Sequence, residues 1–109
     1  MNDMVHREVE LPCSSEEAWD HVTDPSWLGE NGSLDPLEGA EGWVKDGGET
    51  RYLVVEEVEV ERRLVYRWAS FTDAPTRVEI DLEPSGGGTR ISITERPMEI
   101  KALAGLACR

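Results

Sequence analysis

The strongest constraint on this chain is the stretch over residues 50–71, TRYLVVEEVEVERRLVYRWASF. Its β-branched and aromatic residues alternate with charged ones, a pattern that suits a half-buried pleated strand and gives no continuous apolar stripe to a helix. Glu61-Arg62-Arg63 interrupts the pattern, so the stretch predicts two long neighbouring strands joined by a charged turn. In the second strand the period of two sends Leu64, Tyr66 and Trp68 to one side and Val65, Arg67 and Phe71 to the other. In the first strand the apolar phase slips. Leu53 and Val55 fit one alternation and Val58 and Val60 the other, and a bulge near Glu56-Glu57 would reconcile them while curving the sheet. A strand carrying that much aromatic area needs a cover, for which the candidates are short helices before it and a helix at the C-terminus.

The rest of the chain fills in around that pair. Val5, Arg7, Val9 and Leu11 alternate with His6, Glu8 and Glu10, which predicts a first strand with an arginine on its apolar face. Pro12 cannot donate to a ladder and ends it. Ser14 or Ser15 followed by Glu16-Glu17 makes a helix N-terminus, with Ala18, Trp19 and Val22 on one stripe and the end near Thr23. Asp24-Pro25 opens a second short helical turn through Trp27 and Leu28. Short strands are expected at about 33–37 and 42–46, and Asp46-Gly47-Gly48 is a turn into the long strand. Residues 77–83 alternate with Val78, Ile80 and Leu82 inward. After the turn at 84–88, residues 89–95 do the same with Ile91 and Ile93 inward and Arg90, Ser92 and Thr94 outward. Met98, Ile100, Leu103, Leu106 and Ala107 give the tail a helical apolar side about three turns long. The order predicts one α+β domain over 1–109, with an antiparallel sheet of about six or seven strands, two short N-terminal helices and a short C-terminal helix.

Charge excludes some functions. Eleven basic against 23 acidic residues give a net charge of -12, which repels phosphate backbones and anionic lipid headgroups, so neither nucleic acid nor a membrane surface is an expected partner. No run approaches the apolar length of a membrane span, and MNDMVHREVE lacks the core of a signal peptide, so the expected compartment is the cytoplasm. Cys13 and Cys108 are expected as free thiols.

Chemical motifs are sparse. His6 falls on the polar face of the first strand and His21 on the first helix, without metal-ligand spacing, so no metal is expected. No nucleophile elbow or phosphate loop occurs, and Gly86-Gly87-Gly88 precedes a strand, so no cofactor is expected either. No catalytic set stands out, and Glu56 and Asp35 are the remaining proton-transfer candidates should an acid face the interior. The candidate ligand-binding residues are Trp27, Trp43, Tyr52, Tyr66 and Trp68, whose flat apolar bodies and polar tips suit an amphipathic molecule, although ordinary core accounts for each as well. Arg7 is the sixth candidate. A cation on an apolar strand face calls for a ligand carboxylate, an ion pair such as one to Glu56, or an edge position open to water.

Three pieces in order, REVELPCSSEEAWDHVTDPSWL, RRLVYRW and VEIDLEPSGGGTRISITERP, resemble the START-like superfamily also called SRPBCC, and within it the group similar to the activator of heat-shock protein 90 ATPase. The resemblance spans about residues 5–97. It implies a helix-grip fold, in which a curved sheet wraps a C-terminal helix around a cavity, and a hydrophobic or amphipathic small molecule as partner. Some relatives use such a cavity for cyclase or aromatase chemistry, others only bind or transport, and the group's name implies a co-chaperone-like interaction. The terminal helix here is short for the family. A more open cavity, a chain that continues past Arg109, or a homodimer in which a second copy supplies the cover would each account for it. Trp27 also comes sooner after the Asp-Pro turn than the tryptophan usual in the family.

Overall fold

The computed structural model describes residues 4–70 and 74–98. Phe71, the loop residues 72 and 73, Cys108 and the helix expected beyond Met98 lie outside the described residues. The architecture is a helix-grip-like α+β fold built on one curved antiparallel sheet of seven strands. In chain order these are β1 (Val5–Leu11), α1 (Ser15–Val22), a 3-10 turn (Pro25–Trp27), β2 (Asn31–Ser33), β3 (Glu41–Asp46), β4 (Glu49–Glu59), β5 (Arg63–Ala69), β6 (Thr76–Ser85) and β7 (Gly88–Pro97). They lie in the order β1-β7-β6-β5-β4-β3-β2. The first strand therefore returns to pair with the last, and every other neighbour is a sequential hairpin.

Local chemistry explains the boundaries. Ser14 caps α1, its hydroxyl accepting from the Glu17 amide at 3.2 Å, and Asp24 caps the 3-10 turn through Ser26 N at 2.9 Å. That bond, rather than burial, holds the Asp24 carboxyl below its usual pKa. Where two short helices were expected, only the first is α-helical, because Pro25 and the chain's exit at Gly29 leave room for a single tight turn. Gly47 and Gly48 (φ 60° and 87°) and Gly86 and Gly87 (φ 54° and 88°) take the left-handed conformations that two-residue hairpins demand. The strand expected at 33–37 instead ends at Ser33. Leu34 turns into the core, and Pro36 has no amide to continue the ladder.

Register decides which residues share a face. Leu53 opposes Trp68, Val55 opposes Tyr66 and Val58 opposes Leu64, with the register shift between Val55 and Glu57. The expected bulge is present, and it leaves both Glu56 and Glu57 on the convex face. There Glu56 Oε2 lies 2.8 Å from Arg67 Nε and Glu56 Oε1 3.7 Å from Arg77 Nη1. Arg63 bridges Glu57 at 3.0 Å and Asp81 at 2.7 Å, and the bond to Asp81 holds its pKa above the ordinary value. The concave face is apolar. Leu53, Val55, Leu64, Tyr66, Val78, Ile80, Leu82 and Ile91 are buried there, and Ala18, Trp19 and Val22 of α1 pack with them in one core. No helix among the described residues is long and apolar enough to cross a membrane.

Gly42 faces Leu53 across β3 and β4, and a Cβ at that position would run into the backbone oxygen of Ser33. Since a backbone atom must move, Gly42→Ala is expected to cost about 2 kcal/mol in urea unfolding, while Glu41→Ala next to it, on an exposed side chain, stays within about 0.5 kcal/mol.

Candidate functional site

The concave face has an apolar end and a polar end, and strand register sets both. On β7 the inward positions are Ile91, Ile93 and Glu95, paired on β1 with Val9, Arg7 and Val5 respectively. At the first end, Val9, Leu11, Ile91, Ile93, Val22 and Trp27 border a groove of about 470 Å³ between β1, β7 and α1. Trp27 is held at its rim because its indole Nε1 donates to the Val22 carbonyl at 3.0 Å, a carbonyl that the end of α1 would otherwise leave free.

The polar end is a cavity of about 400 Å³ bordered by Val5, Arg51, Trp68, Thr76 and Glu95 among others. One carboxylate oxygen of Glu95, Oε2, accepts from Trp68 Nε1 at 2.9 Å and from Thr76 Oγ1 at 2.6 Å. The Arg51 guanidinium sits 4.6 Å from the centroid of the Trp68 ring, in cation-π geometry. Tyr66 meets the same indole edge-on, at 5.5 Å between centroids and 78° between planes. Tyr66 is fully buried, and its hydroxyl has no hydrogen-bond partner among the described residues. Burial first, and then the negative charge of Glu95, push its phenol pKa well above the ordinary range, against a smaller opposing effect of Arg51.

The structure brings together only some of the expected site residues. Tyr66 and Trp68 touch at the polar end, and Trp27 borders the apolar groove. Arg7 lies between the two ends, opposite Ile93 on the edge strand; it is exposed and forms no ion pair among the described residues. Trp43 and Tyr52 oppose each other on β3 and β4 but project to the convex face. Glu56 is not turned inward, since the bulge aims it at Arg67 and Arg77, so no pair with Arg7 forms. Asp35 is exposed in the loop after β2. His6 Nδ1 lies 2.8 Å from Thr94 Oγ1, and among the described residues no group of three or more His, Cys, Asp or Glu could hold a metal ion. Sequence reasoning missed Glu95 and Arg51. Each shares parity with apolar inward residues, Ile91 and Ile93 for one and Leu53 and Val55 for the other, and that was the signal available.

A curved antiparallel sheet with a helix packed across its β6 and β7 strands and cavities on its concave face defines a START-like, SRPBCC-type domain. The chain belongs to the family described as Activator of Hsp90 ATPase homolog 1-like protein, whose sequence profile matches residues 12–107. No curated protein matches the sequence. Among solved structures, DynU16, a protein of the dynemicin biosynthetic locus, is similar with a TM-score of 0.78 and 26% identity over 97% of this chain and 42% of its own. This chain therefore spans less than half of DynU16. CalU16 from Micromonospora echinospora has a TM-score of 0.67 and 19% identity, covering 97% of this chain and 75% of its own. Aha1 from Colwellia psychrerythraea, solved as a dimer in solution, has a TM-score of 0.74 and 13% identity, covering 96% of this chain and 84% of its own.

Because the Tyr66 hydroxyl is buried without a described partner, Tyr66→Phe is expected to leave stability unchanged or to raise it by about 1 kcal/mol, where removing a bonded hydroxyl would lower it by a similar amount. The phenol pKa is higher folded than unfolded, so the wild type keeps its full stability below about pH 10 and loses it as pH rises above that value. Denaturant titrations from pH 8 to 11 should give a shallower decline for Tyr66→Phe.

Proposed function

We propose that the protein binds an apolar or amphipathic small molecule along its concave face. The observation that carries this reading is the groove of about 470 Å³ whose border includes Val9, Leu11, Val22, Trp27, Ile91 and Ile93. Its volume falls within the usual range of small-molecule sites, and apolar side chains dominate its border. Val9 and Trp27 are 44% and 42% exposed, so apolar surface is left for a ligand to take from water. The polar cavity at the Glu95 end supplies groups that would orient such a molecule. Family membership supports the reading, because the fold is in general a ligand-binding one.

In this reading Trp27 and Trp68 contribute aromatic contacts, Tyr66 supports Trp68 from within the core, and Arg7, at the open edge between the two ends, meets an acidic substituent of a ligand. The reading extends to a cytoplasmic protein with free thiols, and to a homodimer in which a second copy covers the open side of the groove. Light scattering on the 12.2 kDa chain, with and without ligand, reads that state directly.

The neutral probe N-phenyl-1-naphthylamine should give a saturable fluorescence increase with the wild type. Trp27→Ala is expected to weaken it by about fivefold or more, while the exposed change Glu41→Ala leaves it unaltered. Absence of saturable binding to any apolar probe, together with retention of a chaperone ATPase in a pull-down, would favour the protein interaction that the family's description names.

A further inference from the structure

The Glu95 carboxylate is buried in part, sits on the concave face at its polar end, and is held by two donors that both address the same oxygen. An ionised carboxylate offers about four acceptor positions over its two oxygens. Oε2 uses two of them on Trp68 and Thr76, whereas Oε1 accepts from no described residue. The side chain borders the polar cavity. The arrangement resembles an anchored acceptor more than a structural ion pair, because no described cation lies within bridging distance of it and its holding groups are neutral. Trp68 is itself fixed by Tyr66 at its edge and by Arg51 against its face, so the indole N–H has little freedom to release the carboxylate.

Charge selects what such an acceptor would take. Arg51 borders the same cavity, so a ligand ammonium group drawn to Glu95 also meets a like charge there. A ligand carboxylate would meet Glu95 as a like charge. A neutral donor suffers neither penalty. We infer that Glu95 is the specificity-determining residue for a hydroxyl-bearing head group, an alcohol or a phenol, of the molecule bound on the concave face, with Trp68 and Thr76 as the residues that position its carboxylate. This rests on the small-molecule reading above and adds the chemistry of the ligand's polar end. Glu95 lies four positions beyond Ile91 on β7, about 13 Å at the strand rise, so a ligand spanning both ends carries its hydroxyl roughly that far from its apolar terminus.

The test compares 2-naphthol with 2-methoxynaphthalene, which differ in whether the oxygen can donate, by calorimetric titration at pH 7 of wild type and Glu95→Gln. The glutamine keeps the shape and an oxygen for Trp68 and Thr76, but turns the second acceptor into a donor. A hydrogen bond to a charged acceptor is expected to favour the naphthol by about tenfold or more in the wild type, and that preference should fall within about twofold in the variant while the ether binds both alike. Equal affinity of the wild type for the two probes, or a preference that survives Glu95→Gln, would overturn the assignment of Glu95 while leaving the concave face as a binding site. Failure of both probes to bind the wild type would overturn the assignment together with the reading beneath it. Since the wild-type comparison needs no variant, poor folding of Glu95→Gln does not shield the proposal.

Discussion

Everything else in this molecule depends on neighbouring strands presenting the same parity to one side. The rows Val55–Tyr66–Val78–Glu95–Val5 and Leu64–Ile80–Ile93–Arg7 cross the sheet in register, and a slip of one residue in any strand would exchange its inner set for its outer one. The β4 bulge is the place where that parity is restored. Without it, Val58 would face the arginines and Glu57 the core. With it, two consecutive glutamates reach the convex side, and Arg63, Arg67 and Arg77 each find a carboxylate. One extra residue thus serves the packing of the inner face and the pairing of the outer face together.

Along β7, apolar Ile91 and Ile93 give way to Glu95, and along β1 the edge residues run from Leu11 and Val9 through Arg7 to Val5. The concave surface is therefore graded from greasy to polar over a few strand residues. The polar end carries a buried hydroxyl with no partner among the described residues and a partly buried carboxylate, both of which cost stability unless other groups satisfy them. Trp68 ties the two together, since it bonds Glu95 through its N–H and packs on Tyr66 through its ring.

Much of this was legible in the chain. The alternation in β5, β6 and β7, the phase slip at Glu56-Glu57, the serine and aspartate caps and the two glycine hairpins each have a local physical cause, and the structure obeys them. Features that depend on partners distant in sequence could not be read locally. The return of β1 to β7, and with it the edge position of Arg7, is a long-range choice. The strand expected at 33–37 moved because β3 pairs with Asn31–Ser33 rather than with the residues after Ser33. Trp43 and Tyr52 look like pocket residues by type, yet parity sends both to the convex face, because Val44 and Leu53 claim the interior. Glu95 was passed over for the opposite reason, a charged residue standing in an apolar residue's place.

The arginine-carboxylate lattice on the convex face bears on the electrostatics of the opposite side. Arg63, Arg67, Arg77, Arg90 and Arg96 are all matched there by acids, so this face adds little to the net charge of -12, which falls on the helix, the turns and the loops instead. Glu16, Glu17, Asp20 and Asp24 belong to α1 and its exit, the segment whose His21, Val22 and Trp27 border the groove. The negative potential on that side slows the approach of any anion and fades as salt is added, while a neutral molecule of equal length is indifferent to it.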